Sequence, residues 1–233
     1  MNHRYKSLFF DLDDTLWDTW RNNRECLEEI YCDYPPLRRH YDSFETFYDA
    51  YMPNNLILWA KYRSQEIDRR TLIAERFLHV LRPAGIDDPD AAVRLNSDYL
   101  QRTGRKTALV PKAIDLLKYL QPFYRMFILS NGFREIQSMK LQNSGLAPYF
   151  ERMILSEDAN IQKPHKAIFD FALKNTNSRR HASLMIGDSW DADIAGASRA
   201  GIDQLWFNPG RLPSHGFAPT YEVCSLEEIK RVL

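Results

Sequence analysis

At 233 residues the chain is long enough for one or two domains and a sizeable core. Its hydrophobic fraction of 44% and charged fraction of 27% sit near the globular average and argue against wholesale disorder. Lys and Arg total 31, as do Asp and Glu, so the chain lacks the electrostatic footprint of a nucleic-acid-polymer or anionic-membrane binder.

The first short apolar run is Leu8-Phe9-Phe10. From about residue 18 to about 104 no strand-like run follows, and the periodicity is helical. Cys26, Leu27 and Ile30 suggest one helix; Phe44, Phe47, Tyr48 and Tyr51 suggest a second, interrupted at Pro53. Ile73, Phe77, Val80 and Leu81 form one apolar face of another, which Pro83 and Gly85 would end. Val93, Leu95, Tyr99 and Leu100 suggest a fourth. Beyond this stretch, helix-length segments (Lys112–Gln121, Glu135–Ser144, Lys166–Asn175, Asp191–Ala200) alternate with the runs Met126–Leu129, Met153–Leu155, Leu184–Ile186 and Leu205–Phe207. Continuous apolar runs suit strands buried on both faces of a parallel sheet. The pattern predicts an α/β fold: a doubly wound, Rossmann-like parallel sheet core (residues 1–17 and 105–233) with an inserted α-helical cap domain (18–104). Of the glycines, only Gly85 and Gly104 fall in the insert, in keeping with that division.

The cysteines Cys26, Cys32 and Cys224 show no metal-ligand spacing, which argues against a disulfide framework or structural zinc and fits a reducing, cytoplasmic setting. No apolar run approaches the ~20 residues needed to span a bilayer. The polar stretch Met1–Ser7 leads straight into the first strand without the apolar region of a signal peptide.

The chemistry-bearing residues cluster after the predicted strands, where ligands bind in open parallel sheets. Asp11-Leu12-Asp13-Asp14-Thr15 follows the first strand. Period-two geometry puts Asp11 and Asp13 on one side, where two carboxylates would repel without a cation such as Mg²⁺ between them. An acidic turn with Asp14 as a helix N-cap would produce the same letters. Ser130-Asn131-Gly132 follows the next strand and offers a hydroxyl and turn amides as a phosphate cradle, or an ordinary β–α turn. Lys163-Pro164 places a point charge in the following loop. Gly187-Asp188-Ser189-Trp190-Asp191-Ala192-Asp193 carries more acids than one helix cap needs, with Asp191 and Asp193 as alternatives in support of Asp188.

In order, these residues resemble the four motifs of the haloacid dehalogenase (HAD) superfamily of hydrolases, matching Asp11/Asp13/Thr15, Ser130, Lys163 and Asp188/Asp193; the insert resembles that family's C1-type helical cap. The resemblance implies Asp11 as nucleophile through an aspartyl phosphate, and Asp13 as general acid and then base, its backbone carbonyl touching Mg²⁺. It implies Thr15, Ser130, Asn131, Gly132 and Lys163 at the phosphate, with Lys163 also steadying the nucleophile. Asp188 becomes the direct metal ligand, and Asp193 supports it through water or Lys163. A carboxylate at Asp13 separates phosphatases from the family's dehalogenases, whose halide leaves without a proton.

Finer segments, such as Asn131-Gly132 with Gln137, Gln162-Lys163-Pro164, and Leu58-Trp59 followed by Arg76-Phe77, look like the YjjG-like noncanonical pyrimidine 5′-nucleotidases. The expected substrate is therefore a small phosphomonoester, favouring nucleoside 5′-monophosphates. A sugar-phosphate phosphatase or phosphomutase, or a phospho-accepting regulatory module, stands as the alternative. Trp17 and Trp59 are candidate cap contacts for a base, and Asn54, Asn55, Arg63 and Arg76 candidate polar ones; each also suits a helix surface or cap core.

Overall fold

The computed structural model describes residues 4–233. Strand β1 (Ser7–Phe10) is followed by helices α1 (Thr19–Asp33), α2 (Pro35–His40), α3 (Phe44–Arg63), α4 (Arg69–Leu81) and α5 (Pro89–Arg105). Next come α6 (Ala113–Leu120), β2 (Arg125–Ser130), α7 (Arg134–Asn143), β3 (Arg152–Leu155), the single turn α8 (Ser156–Ala159) and α9 (Lys166–Asn175). The chain closes with β4 (Ser183–Gly187), α10 (Gly196–Arg199), β5 (Asp203–Phe207), β6 (Tyr221–Val223) and α11 (Ile229–Val232). Residues 4–19 together with Thr107–Leu233 form one compact unit, and Trp20–Lys106 a second.

The first unit is built on a 6-stranded sheet in the order β3-β2-β1-β4-β5-β6, with each neighbouring pair parallel. Strand alternation sends Leu8, Phe10, Met126, Ile128, Leu184 and Ile186 to one face and Phe9, Phe127, Leu129 and Met185 to the other. The first face is covered by Ala113, Leu116, Leu117 and Leu120 of α6 and Ile229 of α11, the second by Ile168, Phe169, Ala172 and Leu173 of α9. Burial on both faces explains why the strands read as unbroken apolar runs. Strand order reverses between β1 and β4, and that switch point is where such sheets bind ligands.

The second unit is all helical. Its core joins Cys26, Leu27 and Ile30 of α1, Leu37 of α2, Phe47 and Tyr51 of α3, Phe77 and Val80 of α4, and Ala92 and Tyr99 of α5. Ser43 caps α3 by accepting from the Thr46 N–H at 3.2 Å, and Asp68 caps α4 by accepting from Thr71 at 2.7 Å. Pro53 does not interrupt α3, contrary to the expectation: the helix runs Phe44–Arg63 with Phe47 and Tyr51 buried before the proline and Asn55 and Leu58 after it. Packing on both sides offsets the ~3 kcal/mol that an interior proline costs.

The segment predicted as helix Asp191–Ala200 splits into a π-helical turn, Trp190–Ala195, and α10. Helix α2 and strand β6 have no counterpart among the expected elements. Helix α2 opens on a proline pair, which suits a first turn, and β6 has only 3 residues, of which only Val223 is buried. The cysteines are free thiols, and no helix among the described residues is long and apolar enough to cross a membrane.

Candidate active site

Register sets the site. Phe10 pairs with Ile128 on one side and Ile186 on the other, so the chain leaves β1, β2 and β4 at one sheet edge with Asp11, Ser130 and Asp188 at the exits. The loop after β1 folds back tightly: the N–H groups of Leu16 and Trp17 donate to the Leu12 carbonyl at 3.0 and 2.9 Å. Asp14 adopts φ 60°, and its carboxylate accepts from the N–H of Thr19, the first residue of α1, at 3.0 Å.

Asp11, Asp188 and Asp193 bring carboxylate oxygens within 4.8 Å of one another. The buried Lys163 lies among them and spends its ammonium donors on Asp11 Oδ1 (2.6 Å), Asp193 Oδ1 (2.7 Å) and the Leu129 carbonyl (2.7 Å). An ammonium has three N–H groups, so none remains for a phosphate oxygen. Here all three donors go to protein oxygens, so Lys163 fixes the nucleophile candidate and contributes its charge to the cluster. Asp193 Oδ2 accepts from the Ser189 N–H at 3.1 Å, whereas Asp191 is exposed, so of the two alternatives Asp193 is the one that joins the cluster. The fit is close: a Cβ on Gly187 would meet Asp193 Oδ2 at 2.3 Å.

Three carboxylates around one ammonium leave two negative charges over. Burial pushes the Asp11 acid up to about 7, helped by the charges of Asp193 and Asp13 and opposed by Lys163. Burial, then the charges of Asp11, Asp193 and Asp14, push Asp188 well above the ordinary carboxylate range. Burial opposes the Lys163 charge, but Asp11 and Asp193 outweigh it and raise its pKa. Crowded, under-neutralised oxygen donors of this kind suit a hard divalent cation.

Asp13 departs from the expectation. Its carboxylate lies outside the acidic cluster and pairs with Lys140 Nζ at 2.5 Å. It therefore needs no shared cation with Asp11, because α7 supplies a lysine of its own. Burial opposes the Asp13 charge, yet Lys140, Gln137 and Thr19 together hold its carboxyl below the usual value.

Thr15 is fully buried, its hydroxyl donating to Asp188 Oδ1 and accepting from the Asp188 N–H, both at 3.0 Å. That side chain positions Asp188 and has no donor left for the phosphate it was expected to bind. Ser130 Oγ accepts from Gln137 Nε2 (2.7 Å) and the Gly132 N–H (3.1 Å), and no described residue accepts its proton. Its hydroxyl is thus a free donor, whereas the Gly132 amide is turned inward. The Asn131 side chain clamps the Lys163 backbone, donating to its carbonyl and accepting from its N–H, both at 2.9 Å.

Trp17 lies in the sheet-bearing unit with 0% exposure, packed with Leu12 and Leu16. It has no open face for a base, which corrects its reading as a cap contact. Trp59 is half-buried in the helical unit, edge-on to Tyr62 and 5.8 Å from the Arg76 guanidinium. Arg76 is buried, with Asn55 Oδ1 accepting at 2.7 Å and Asn96 Oδ1 at 3.3 Å. Lys140 and the Asp188-supporting Trp206, whose indole N–H donates to the Asp188 carbonyl at 2.9 Å, were not singled out from sequence. The signal for Lys140 was its place one turn after Gln137 and beside Leu141, on the face of α7 that faces the core.

A family model of haloacid dehalogenase-like hydrolases matches residues 5–201. The HAD-hydrolase YfnB of Bacillus subtilis is 32% identical over 99% of this chain and 96% of its own; its magnesium-bound crystal structure superposes with a TM-score of 0.87 at 98% coverage of both. The pyrimidine 5′-nucleotidase PynA of Streptococcus pneumoniae is 31% identical over 97% of this chain and 93% of its own. The pyrimidine 5′-nucleotidase YjjG of Escherichia coli is 31% identical over 97% and 96%. The sheet order, the acids at its switch point and these matches agree: the chain is an enzyme of the haloacid dehalogenase-like hydrolase family.

Proposed function

We propose that this enzyme is a Mg²⁺-dependent phosphatase that hydrolyses nucleoside 5′-monophosphates through an aspartyl phosphate on Asp11. The observation that carries the reading is the division of labour between two carboxylates two residues apart. Asp11 is held by Lys163 beside Asp188 and Asp193, while Asp13 is held by a different lysine outside that cluster. We read the first as the nucleophile and the second as the group that moves a proton. The Ser130 hydroxyl, which accepts from Gln137 and Gly132, keeps its own proton to offer to a phosphoryl oxygen.

In the first half-reaction an Asp11 oxygen attacks phosphorus, the bond to the leaving oxygen breaks, and that oxygen takes a proton from Asp13, which must first have gained one from solvent against the hold of Lys140. In the second, water attacks phosphorus, the bond to Asp11 breaks, and Asp13 takes the water's proton. Lys163 keeps Asp11 in place throughout, and Asp193 keeps Lys163. Mg²⁺ would be held by Asp11 and Asp188, with the Asp13 carbonyl, and would supply charge neutralisation at the phosphoryl oxygens. The pyrimidine 5′-nucleotidases PynA and YjjG, each 31% identical, support a nucleotide substrate. Trp59 beside Arg76 is our candidate for holding the base.

The test is kcat/KM over a panel of nucleoside monophosphates, sugar phosphates and phosphoserine, with Mg²⁺ and with a chelator. Pyrimidine nucleotides should lead, and chelation should abolish turnover. Preference for a sugar phosphate would overturn the substrate assignment, and chelator-resistant turnover the metal.

A further inference from the structure

Helix α7 buries two polar side chains, Gln137 and Lys140, beside Leu141. A buried ammonium is costly unless it is paired. The Lys140 side chain is only 8% exposed, and its Nζ lies 2.5 Å from Asp13 Oδ1 and 4.1 Å from the centre of the Trp17 ring. Gln137 Nε2 donates to both Asp13 Oδ2 (2.8 Å) and Ser130 Oγ (2.7 Å). Thr19 Oγ1 adds a longer bond of 3.3 Å to Asp13 Oδ1. Each oxygen of Asp13 is therefore fixed from α7, one by a charge seated on an aromatic face and one by an amide that also reaches Ser130. The chain leaves no slack there, since a Cβ on Gly132 would come within 2.5 Å of the Gln137 amide.

We infer that Lys140 is a positioning residue for Asp13 in the hydrolysis of the phosphoenzyme, with Gln137 as the strut that ties it to Ser130. The inference rests on the roles proposed above for Asp11 and Asp13. In that step the water oxygen bonds to phosphorus, the phosphorus–oxygen bond to Asp11 breaks, and the water's proton goes to Asp13, giving inorganic phosphate and a free Asp11 carboxylate. A base works only within hydrogen-bond reach of the proton it takes. An Asp13 carboxylate free to swing loses this step. The first step with p-nitrophenyl phosphate is different, because p-nitrophenolate leaves without needing a proton.

Lys140→Met keeps the apolar stem and removes the charge. In rapid mixing with p-nitrophenyl phosphate, this variant should release a burst of p-nitrophenolate at the wild-type rate. A steady rate at least about tenfold below wild type should follow. Acid quenching should trap a larger fraction of the protein as phosphoenzyme than in wild type. Gln137→Leu should show the same pattern more weakly, and it carries the test if Lys140→Met does not fold by circular dichroism and melting. Equal slowing of burst and steady rate, with no rise in trapped phosphoenzyme, would show that Lys140 only packs α7 and would overturn the inference alone. A wild-type protein that releases no p-nitrophenolate overturns the phosphatase reading, and this inference with it.

Discussion

The two units bury polar groups in opposite ways. The sheet-bearing unit buries Asp11, Asp193, Lys140 and Lys163 as ion pairs whose partners leave β1, β4 and α7 or the loops beside them. The helical unit buries one guanidinium, Arg76, and answers it with two asparagine oxygens and the faces of Trp59 and Tyr99. Its core carries a run of ring contacts through Phe47, Tyr51, Phe77 and Tyr99 among aliphatic residues such as Leu27, Ile30 and Val80. Buried charge costs stability unless it is answered: the sheet-bearing unit answers it with opposite charges, the helical unit with amide oxygens and aromatic faces. The difference teaches that the buried ion pairs, and with them the proposed chemistry, gather in the sheet-bearing unit.

The comparison breaks most visibly at Lys163. Lys163→Met leaves Asp11 and Asp193 buried without their cation, so the protein should lose about 3–5 kcal/mol of stability and essentially all turnover. A melting curve and a phosphate-release assay check both, and a stable, active variant would refute the ion-pair account. Trp17→Ala in the same unit should cost about 3–5 kcal/mol through the cavity it leaves, and slow every substrate alike.

The pH dependence of metal binding is smaller and has a defined sign. Asp11 has its acid form favoured on folding, up to about 7 from an ordinary 3.8, so the folded chain holds that proton more tightly than the unfolded chain does. Without metal, this group costs the fold stability as pH rises from about 4 through 7, and Mg²⁺ must displace the proton to bind. The rise in Tm on adding Mg²⁺ should therefore be larger at about pH 8 than at about pH 5.5. An equal rise at both would remove Asp11 from the metal's partners.

Trp59→Ala in the helical unit should have the smallest effect. We expect KM for nucleotides to rise by up to about tenfold, from the loss of ~1–3 kcal/mol of stacking, with p-nitrophenyl phosphate unaffected. A lower Tm with uniform loss would instead make Trp59 a packing residue like its neighbours.

What was legible in the sequence follows from local rules. Runs such as Leu8–Phe10 and Leu184–Ile186 read as strands because both faces of a doubly wound sheet are dry, and their order along the chain set the fold class. The acids and Ser130 stood out because they follow those runs directly. Helix α3 was misread at Pro53 because local propensity favours a break there and only burial on either side outweighs it. Three things were decided by tertiary contact alone. Asp13 takes Lys140, 127 residues away, in place of a cation shared with Asp11. Thr15 is spent on Asp188, 173 residues away. Trp17 faces inward under an ammonium. Sequence position fixes which side chains leave a strand end, but a hydrogen-bond partner is fixed by whichever distant group the packed core brings within about 3 Å.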